Sequence, residues 1–223
     1  MAYPRPAEVE AAKKDAKVNV MQQPGFNVGY VGYNTKKIPK LEVRQALDMA
    51  INKDAIINAV YQGAGTKATN PMPPTQWSYN KNIKDAPYNP EKAKELLKKA
   101  GAENLELTLW QLPVQRPYNP NGKLMTEMIQ SDWAKIGVKA KIQTYEWAEY
   151  LKRAKTGEHD VITVGWTGDN GDPDNWLGAL LSCEAIGGNN YAQWCNKEFN
   201  DLVTQGKQTT DTKKRTALYE KAQ

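Results

Sequence analysis

Between residues 165 and 176 the chain reads GWTGDNGDPDNW, which places three aspartates and two asparagines in twelve positions, with Trp166 near one end and Trp176 at the other. Three chemistries could use such a loop. A helix-loop-helix calcium site needs oxygen ligands at alternate positions, a glycine at the sixth and a glutamate at the twelfth. Here Asp169, Gly171 and Pro173 alternate, so the spacing fails. Glycoside hydrolysis needs two carboxyls on opposite sides of a sugar, and one short loop cannot supply both. Glu146, beside Trp147 in TYEWAEY, is the candidate second carboxyl, with nothing in the sequence to fix its geometry. A cationic ligand accounts for more. An aspartate at a strand end, partly desolvated by an indole, pairs with an ammonium group through charge-assisted bonds of about 1.5 to 3 kcal/mol.

A second loop, PVQRPYNPN at 113–121, carries the opposite charge. Arg116 stands between Gln115 and Pro117, with Tyr118 nearby, and its planar guanidinium suits a carboxylate. One loop offers a cation and the other an anion, so a zwitterion is the guest that fits both. Each residue also has a plainer use. Arg116 could be a surface arginine, Asp172 and Asp174 turn or helix-start residues, and Trp110, Trp133, Trp147, Trp166 and Trp176 core side chains.

The elements between these loops follow from periodicity and caps. NVGYVGYNT at 27–35 alternates with period two, and its glycines suggest close backbone approach. LEVRQALDMAI places Val43, Ala46, Leu47, Ala50 and Ile51 on one helical face. Asn52 then caps a second helix, KDAIINAVYQ, ended by Gly63. TNPMPPTQWSYNKNIKDAPYNP reads as a surface loop without periodicity. Asn89-Pro90 opens the helix EKAKELLKKAG, which closes at Gly101. Strands and helices then alternate: strand 105–112, helix 121–136 before Gly137, strand 138–145, helix 146–156 before Gly157, and strand 160–166. Three amphipathic closing helices follow. The pattern is α/β, with a sheet flanked by helices. Both charged loops leave carboxyl ends of strands, where ligands gather in such sheets.

With 223 residues, one main domain is expected. Thirty Lys and Arg against 25 Asp and Glu give +5, but the bases are interleaved with acids, which argues against a nucleic-acid surface. No apolar run approaches the ~20 residues of a membrane helix. No charged-then-apolar leader opens the chain, and MAYPRPAEVE and TALYEKAQ both suggest an excised piece. The only histidine, His159, and the absence of CxxC spacing speak against zinc. Cys183 and Cys195 are either a disulfide, closing a loop of about a dozen residues for roughly 3 kcal/mol, or two unrelated thiols.

LWQLPVQRPYNPN, YEWAEYLKRAKTGEHD and GWTGDNGDPDNW together resemble the dipeptide branch of the peptide/nickel/opine family of extracytoplasmic solute-binding proteins. VRQALDMAINKDAIINAVYQGAG, NPEKAKELLKKAG and QSDWAKIGVKAKI resemble the wider family. Family members are bilobed and about twice this length. The resemblance therefore implies a type II periplasmic-binding-protein lobe with a central mixed sheet: residues 1–26 a hinge-side segment ending the first lobe, and residues 27–223 the large carboxyl-terminal lobe. It further implies that Asp169 pairs with a peptide's α-ammonium and Arg116 with its α-carboxylate. An extended dipeptide separates those charges by about 6 to 7 Å, so the pair would measure ligand length. Gly165, Trp166 and Thr167 would present backbone groups and a wall, and Tyr118 would line the carboxylate end. Cys183 and Cys195 match a family disulfide. A periplasmic monomer is expected, passing its ligand to ABC permease subunits, with no catalysis, metal or cofactor. Haem is the alternative ligand within the family.

Overall fold

The computed structural model describes residues 4–223. Its centre is a four-stranded sheet in the order β1-β4-β2-β3, with β1 spanning Asn27–Tyr33, β2 Glu106–Trp110, β3 Lys139–Gln143 and β4 Val161–Thr167. β2 is parallel to β3 and to β4, while β1 runs antiparallel to β4, so the sheet is mixed as expected. Helices α1 (Pro6–Lys13), α2 (Leu41–Met49), α3 (Lys53–Ile56), α4 (Pro90–Lys99), α5 (Gly122–Lys135), α6 (Trp147–Lys155), α7 (Asp174–Leu181), α8 (Lys197–Gln208) and α9 (Thr212–Ala222) surround it. Among the described residues no helix is long and apolar enough to cross a membrane.

Strand alternation divides the core. Leu107, Leu109 and Val161 face α2, α4 and α5, burying Val43, Leu47, Leu97, Ile129 and Trp133 between them. Trp110, Ile162 and Val164 face the other way, against Tyr150 and Ala154 of α6. Val28 meets Trp176 and Leu177 of α7, Phe199 of α8 and Tyr219 of α9. The caps act where the sequence places them. Asn52 and Asn89 accept from Ala55 and Lys92 backbone N–H groups at 3.0 and 2.9 Å; Asn121, read as the first residue of its helix, is the cap of α5 and accepts from Leu124 N–H at 3.0 Å. Gly101, Gly137 and Gly157 adopt positive φ of 66°, 84° and 75° after α4, α5 and α6, a conformation that costs glycine little.

Two elements depart from expectation. The helix after Asn52 lasts four residues before Ile57–Tyr61 widens into a π-turn, which ends in left-handed Gln62 and then Gly63. The 69–90 segment lacks regular structure, but it is not wholly a surface loop. Asn70, Met72, Gln76 and Ser78 are buried, because α9 packs over them and Gln223 bonds Asn70 and the Ser78 carbonyl. Cys183 and Cys195 form a disulfide, their Cα atoms 4.7 Å apart.

Candidate ligand-binding site

The site begins where two parallel strands part. β2 makes its last pairing with β4 at Trp110, opposite Ile162, whereas β4 continues to Thr167. Side chains satisfy the backbone at the fork. Thr163 Oγ1 donates to the Trp110 carbonyl at 2.9 Å and accepts from Leu112 N–H at 3.1 Å. The hydroxyl of buried Tyr150 donates to the Thr163 carbonyl at 2.8 Å. On the far side of β4, Gly168 N–H donates to Phe26 O and Asn34 N–H to Asp160 O. Antiparallel pairing alternates, so even-numbered β4 residues bond β1. The main-chain groups of Gly165 and Thr167 therefore turn toward the side that β2 has vacated.

The arginine loop folds back onto this strand. Arg116 and Asn119 exchange backbone hydrogen bonds at 3.0 and 3.1 Å around Pro117 and Tyr118, a tight turn with proline at the position whose φ it presets. Tyr118, buried, lies across two glycines that are register partners on neighbouring strands, Gly29 and Gly165. A Cβ on Gly165 would come within 2.3 Å of the Tyr118 ring, and one on Gly29 within 2.4 Å of its carbonyl oxygen. The close approach suggested by the glycines of β1 is this contact. Tyr61, carried inward by the π-turn, donates its hydroxyl to that carbonyl at 2.6 Å. Burial pushes the Tyr61 phenol up to about 12, so it remains a donor.

Arg116 itself is half-buried, its guanidinium 4.8 Å from the ring centre of Trp147. Trp147 in turn stacks on Tyr150, their rings 5.9 Å apart and 22° from parallel. Among the described residues no carboxylate forms an ion pair with Arg116. Glu146 accepts instead from Ala148 and Glu149 N–H groups, capping α6.

The three aspartates of the acidic loop are sorted by their partners. Asp172 pairs with Arg215 of α9 at 2.7 Å and accepts from Asp174 N–H. Asp174 pairs with Lys207 at 3.2 Å. Asp169 is exposed and has no cationic partner among the described residues; its bonds run to Asn175 alone. Trp166 is half-buried, with its indole N–H also on Asn175. Thr167 directs its hydroxyl to Asn27. Trp77 of the 69–90 segment donates its indole N–H to the Gly171 carbonyl, bracing the loop from outside. Sequence spacing does not reveal Trp147, Tyr61 or Trp77, because each acts through contacts between distant segments, nor Asn175, whose contacts depend on how the acidic loop folds back on itself; the one signal is the density of aromatics and amides.

His159 lies at the other end of β4, fully buried, with Nε2 on the Tyr191 carbonyl at 2.7 Å and Trp110 edge-on to its ring. Burial holds its pKa below the usual histidine range, and it faces neither charged loop. Among the described residues no group of three or more His, Cys, Asp or Glu is placed to hold a metal ion.

A mixed α/β sheet whose parallel strands fork into one cationic and one anionic loop is the frame of the candidate site. The chain belongs to the bacterial extracellular solute-binding proteins, family 5, whose middle-region description matches residues 1–188. It is 66% identical over 223 residues to di/tripeptide-binding protein 1 of Pseudomonas aeruginosa, covering 99% of this chain and 42% of that protein. It is 52% identical over 224 residues to heme-binding protein A of Haemophilus influenzae, covering 99% of this chain and 41% of that protein. The crystal structure of a dipeptide-binding protein from Pseudoalteromonas sp. SM9913 in complex with Met-Leu superposes with a TM-score of 0.91 at 40% identity, over all of this chain and 45% of that one. The chain thus spans less than half the length of the relatives it matches.

Proposed function

We propose that this chain is one lobe of a dipeptide receptor, with residues 27–223 as its large carboxyl-terminal lobe and residues 1–26 as the hinge-side end of the other lobe. It reads both ligand termini and catalyses nothing. Asp169 accepts the α-ammonium group and Arg116 the α-carboxylate. Gly165 and Thr167 offer main-chain groups along the open side of β4, Trp166 forms a wall, and Tyr118 lines the carboxylate end. The observation that carries the reading is the sorting of charge: among the described residues Asp172 and Asp174 have ion-pair partners, while Asp169 and Arg116, on loops from adjacent parallel strands, have none. Relatives that bind di- and tripeptides support the ligand class. The complete protein works in the periplasm as a monomer and delivers dipeptide to ABC permease subunits, again by analogy with the family.

Isothermal titration of the full-length protein with Ala-Ala, a tripeptide and N-acetylated Ala-Ala tests this. Free Ala-Ala binds, and Arg116→Ala or Asp169→Ala weakens it about ten- to a hundredfold, the worth of one charge-assisted contact. Both variants binding like wild type would end the proposal. The isolated chain binds at least about a hundredfold more weakly, because half of the ligand's burial is missing. Haem is the second ligand to test, prompted by the H. influenzae relative. His159 could serve it as an axial ligand only by leaving the core, so haem binding with unchanged His159 packing must use another group.

A further inference from the structure

Asn175 stands in the first turn of α7, and its side chain joins three groups of the acidic loop. Its Oδ1 accepts two hydrogen bonds, from the Trp166 indole N–H at 3.1 Å and from the Asp169 main-chain N–H at 2.9 Å. Its Nδ2 donates to Asp169 Oδ2 at 3.3 Å. An amide is the side chain that can do this, because it carries an acceptor and a donor at fixed separation. Aspartate would lose the donor and place a second negative oxygen beside the first. Alanine would lose everything. Asp169 is exposed, so without this tether its carboxylate would sample several rotamers and a ligand would have to order it on binding. The tether also occupies Oδ2 and leaves Oδ1 without a partner inside the described chain.

We infer that Asn175 is a positioning residue that aims the Asp169 carboxylate and locks it to the Trp166 ring, so that an ammonium group meets a preformed acceptor. This rests on reading Asp169 as the ammonium contact.

The test is a double-mutant cycle on the full-length protein, titrated with Ala-Ala and with N-propanoyl-alanine, which lacks the amino group. Asn175→Ala weakens Ala-Ala about three- to tenfold, the range for one net hydrogen bond near a charge. Its effect vanishes in two places: on N-propanoyl-alanine, and on Ala-Ala when Asp169→Ala is already present. Trp166→Phe, which keeps an aromatic ring in the wall and deletes one of the two bonds to Asn175 Oδ1, weakens Ala-Ala in the same direction, and the part of its effect that runs through Asn175 is absent once Asn175→Ala is present. Wild-type affinity in Asn175→Ala, losses that multiply in the double variant, or an equal loss with N-propanoyl-alanine would each overturn the role. If Asn175→Ala does not fold, Trp166→Phe takes its place in the same comparison: a loss confined to Ala-Ala supports the role, and wild-type Ala-Ala affinity or an equal loss with N-propanoyl-alanine is the negative result. Undiminished binding by Asp169→Ala has a different meaning, since it removes the ammonium reading itself and the positioning role with it.

Discussion

Gly165→Ala adds one methyl group to the centre of the proposed site, and the structure gives its cost. The new Cβ would lie 2.3 and 2.4 Å from Tyr118 Cδ2 and Cγ, and 2.5 Å from the Val28 carbonyl oxygen. The carbonyl belongs to β1 and cannot withdraw without disturbing the ladder to β4. The ring can leave only by exposing a side chain that is 7% exposed now. Overpacking of this kind costs about 1 to 3 kcal/mol, and unburying most of an aromatic ring costs a similar amount. We expect a loss of about 2 to 4 kcal/mol, which for a chain of this size lowers Tm by roughly 4 to 15 °C. Arg116 shares a four-residue turn with Tyr118, so dipeptide affinity falls in the same variant. Gly171→Ala is the control within the same segment, since a Cβ there meets nothing within 4 Å. Thermal unfolding followed by circular dichroism reads both. A Gly165→Ala protein that melts within about 1 °C of wild type would refute the packing argument.

Three further outcomes follow from the same geometry. Trp147→Ala removes the ring beneath Arg116, a contact worth about 0.5 to 1 kcal/mol, so Ala-Ala affinity falls a few-fold, and the lost stacking on Tyr150 lowers Tm as well; unchanged affinity would mean that the ring does not hold the guanidinium. Tyr61→Phe deletes the hydroxyl bonded to the Tyr118 carbonyl and lowers stability by about 1 kcal/mol in urea unfolding, an effect that should disappear if the π-turn has no part in holding the arginine loop. The third concerns acid. Burial depresses the folded pKa of His159, so as pH falls below the ordinary value of 6.5 the unfolded chain takes up a proton that the native ring resists, and stability drops. Tm measured between about pH 6.5 and 5 therefore declines more steeply in wild type than in His159→Gln. Burial alone would raise the Asp160 carboxyl, but Thr108 and Lys37 hold it below its ordinary 3.8, so its loss comes separately, at lower pH.

Much of the fold is legible because its signals are local. Asn89-Pro90 and Gly101 bracket α4 within a dozen residues, and the caps and glycines at the ends of α5 and α6 act the same way. The placement of Arg116 and Asp169 beyond the carboxyl ends of β2 and β4 is legible too, since a strand followed by a polar, proline-broken loop announces it. What the sequence hides is set at long range. The π-turn at Ile57–Tyr61 brings Tyr61 to Tyr118, fifty-seven residues away. Ser78 and Met72 are buried because α9, far along the chain, covers them. Asp172 and Asp174 read as turn or helix-start residues, and Asp172 does accept from Asp174 N–H, but their ion pairs with Arg215 and Lys207 are set at long range.

The fork between β2 and β4 has one more consequence. A strand that outruns its neighbour leaves an unpaired edge, and an unpaired edge is a template for any extended chain, including another copy of the same protein. Here that edge is five residues long, Thr163–Thr167, with Tyr150 already closing its first carbonyl. The strand ends at Thr167, and Arg116 and Asp169 set opposite charges around it. An incoming strand of ordinary length would have to bury both charges without partners, whereas a peptide two residues long brings its own. In the function proposed above, the arrangement that admits a short zwitterion is thus the same one that guards the sheet against aggregation.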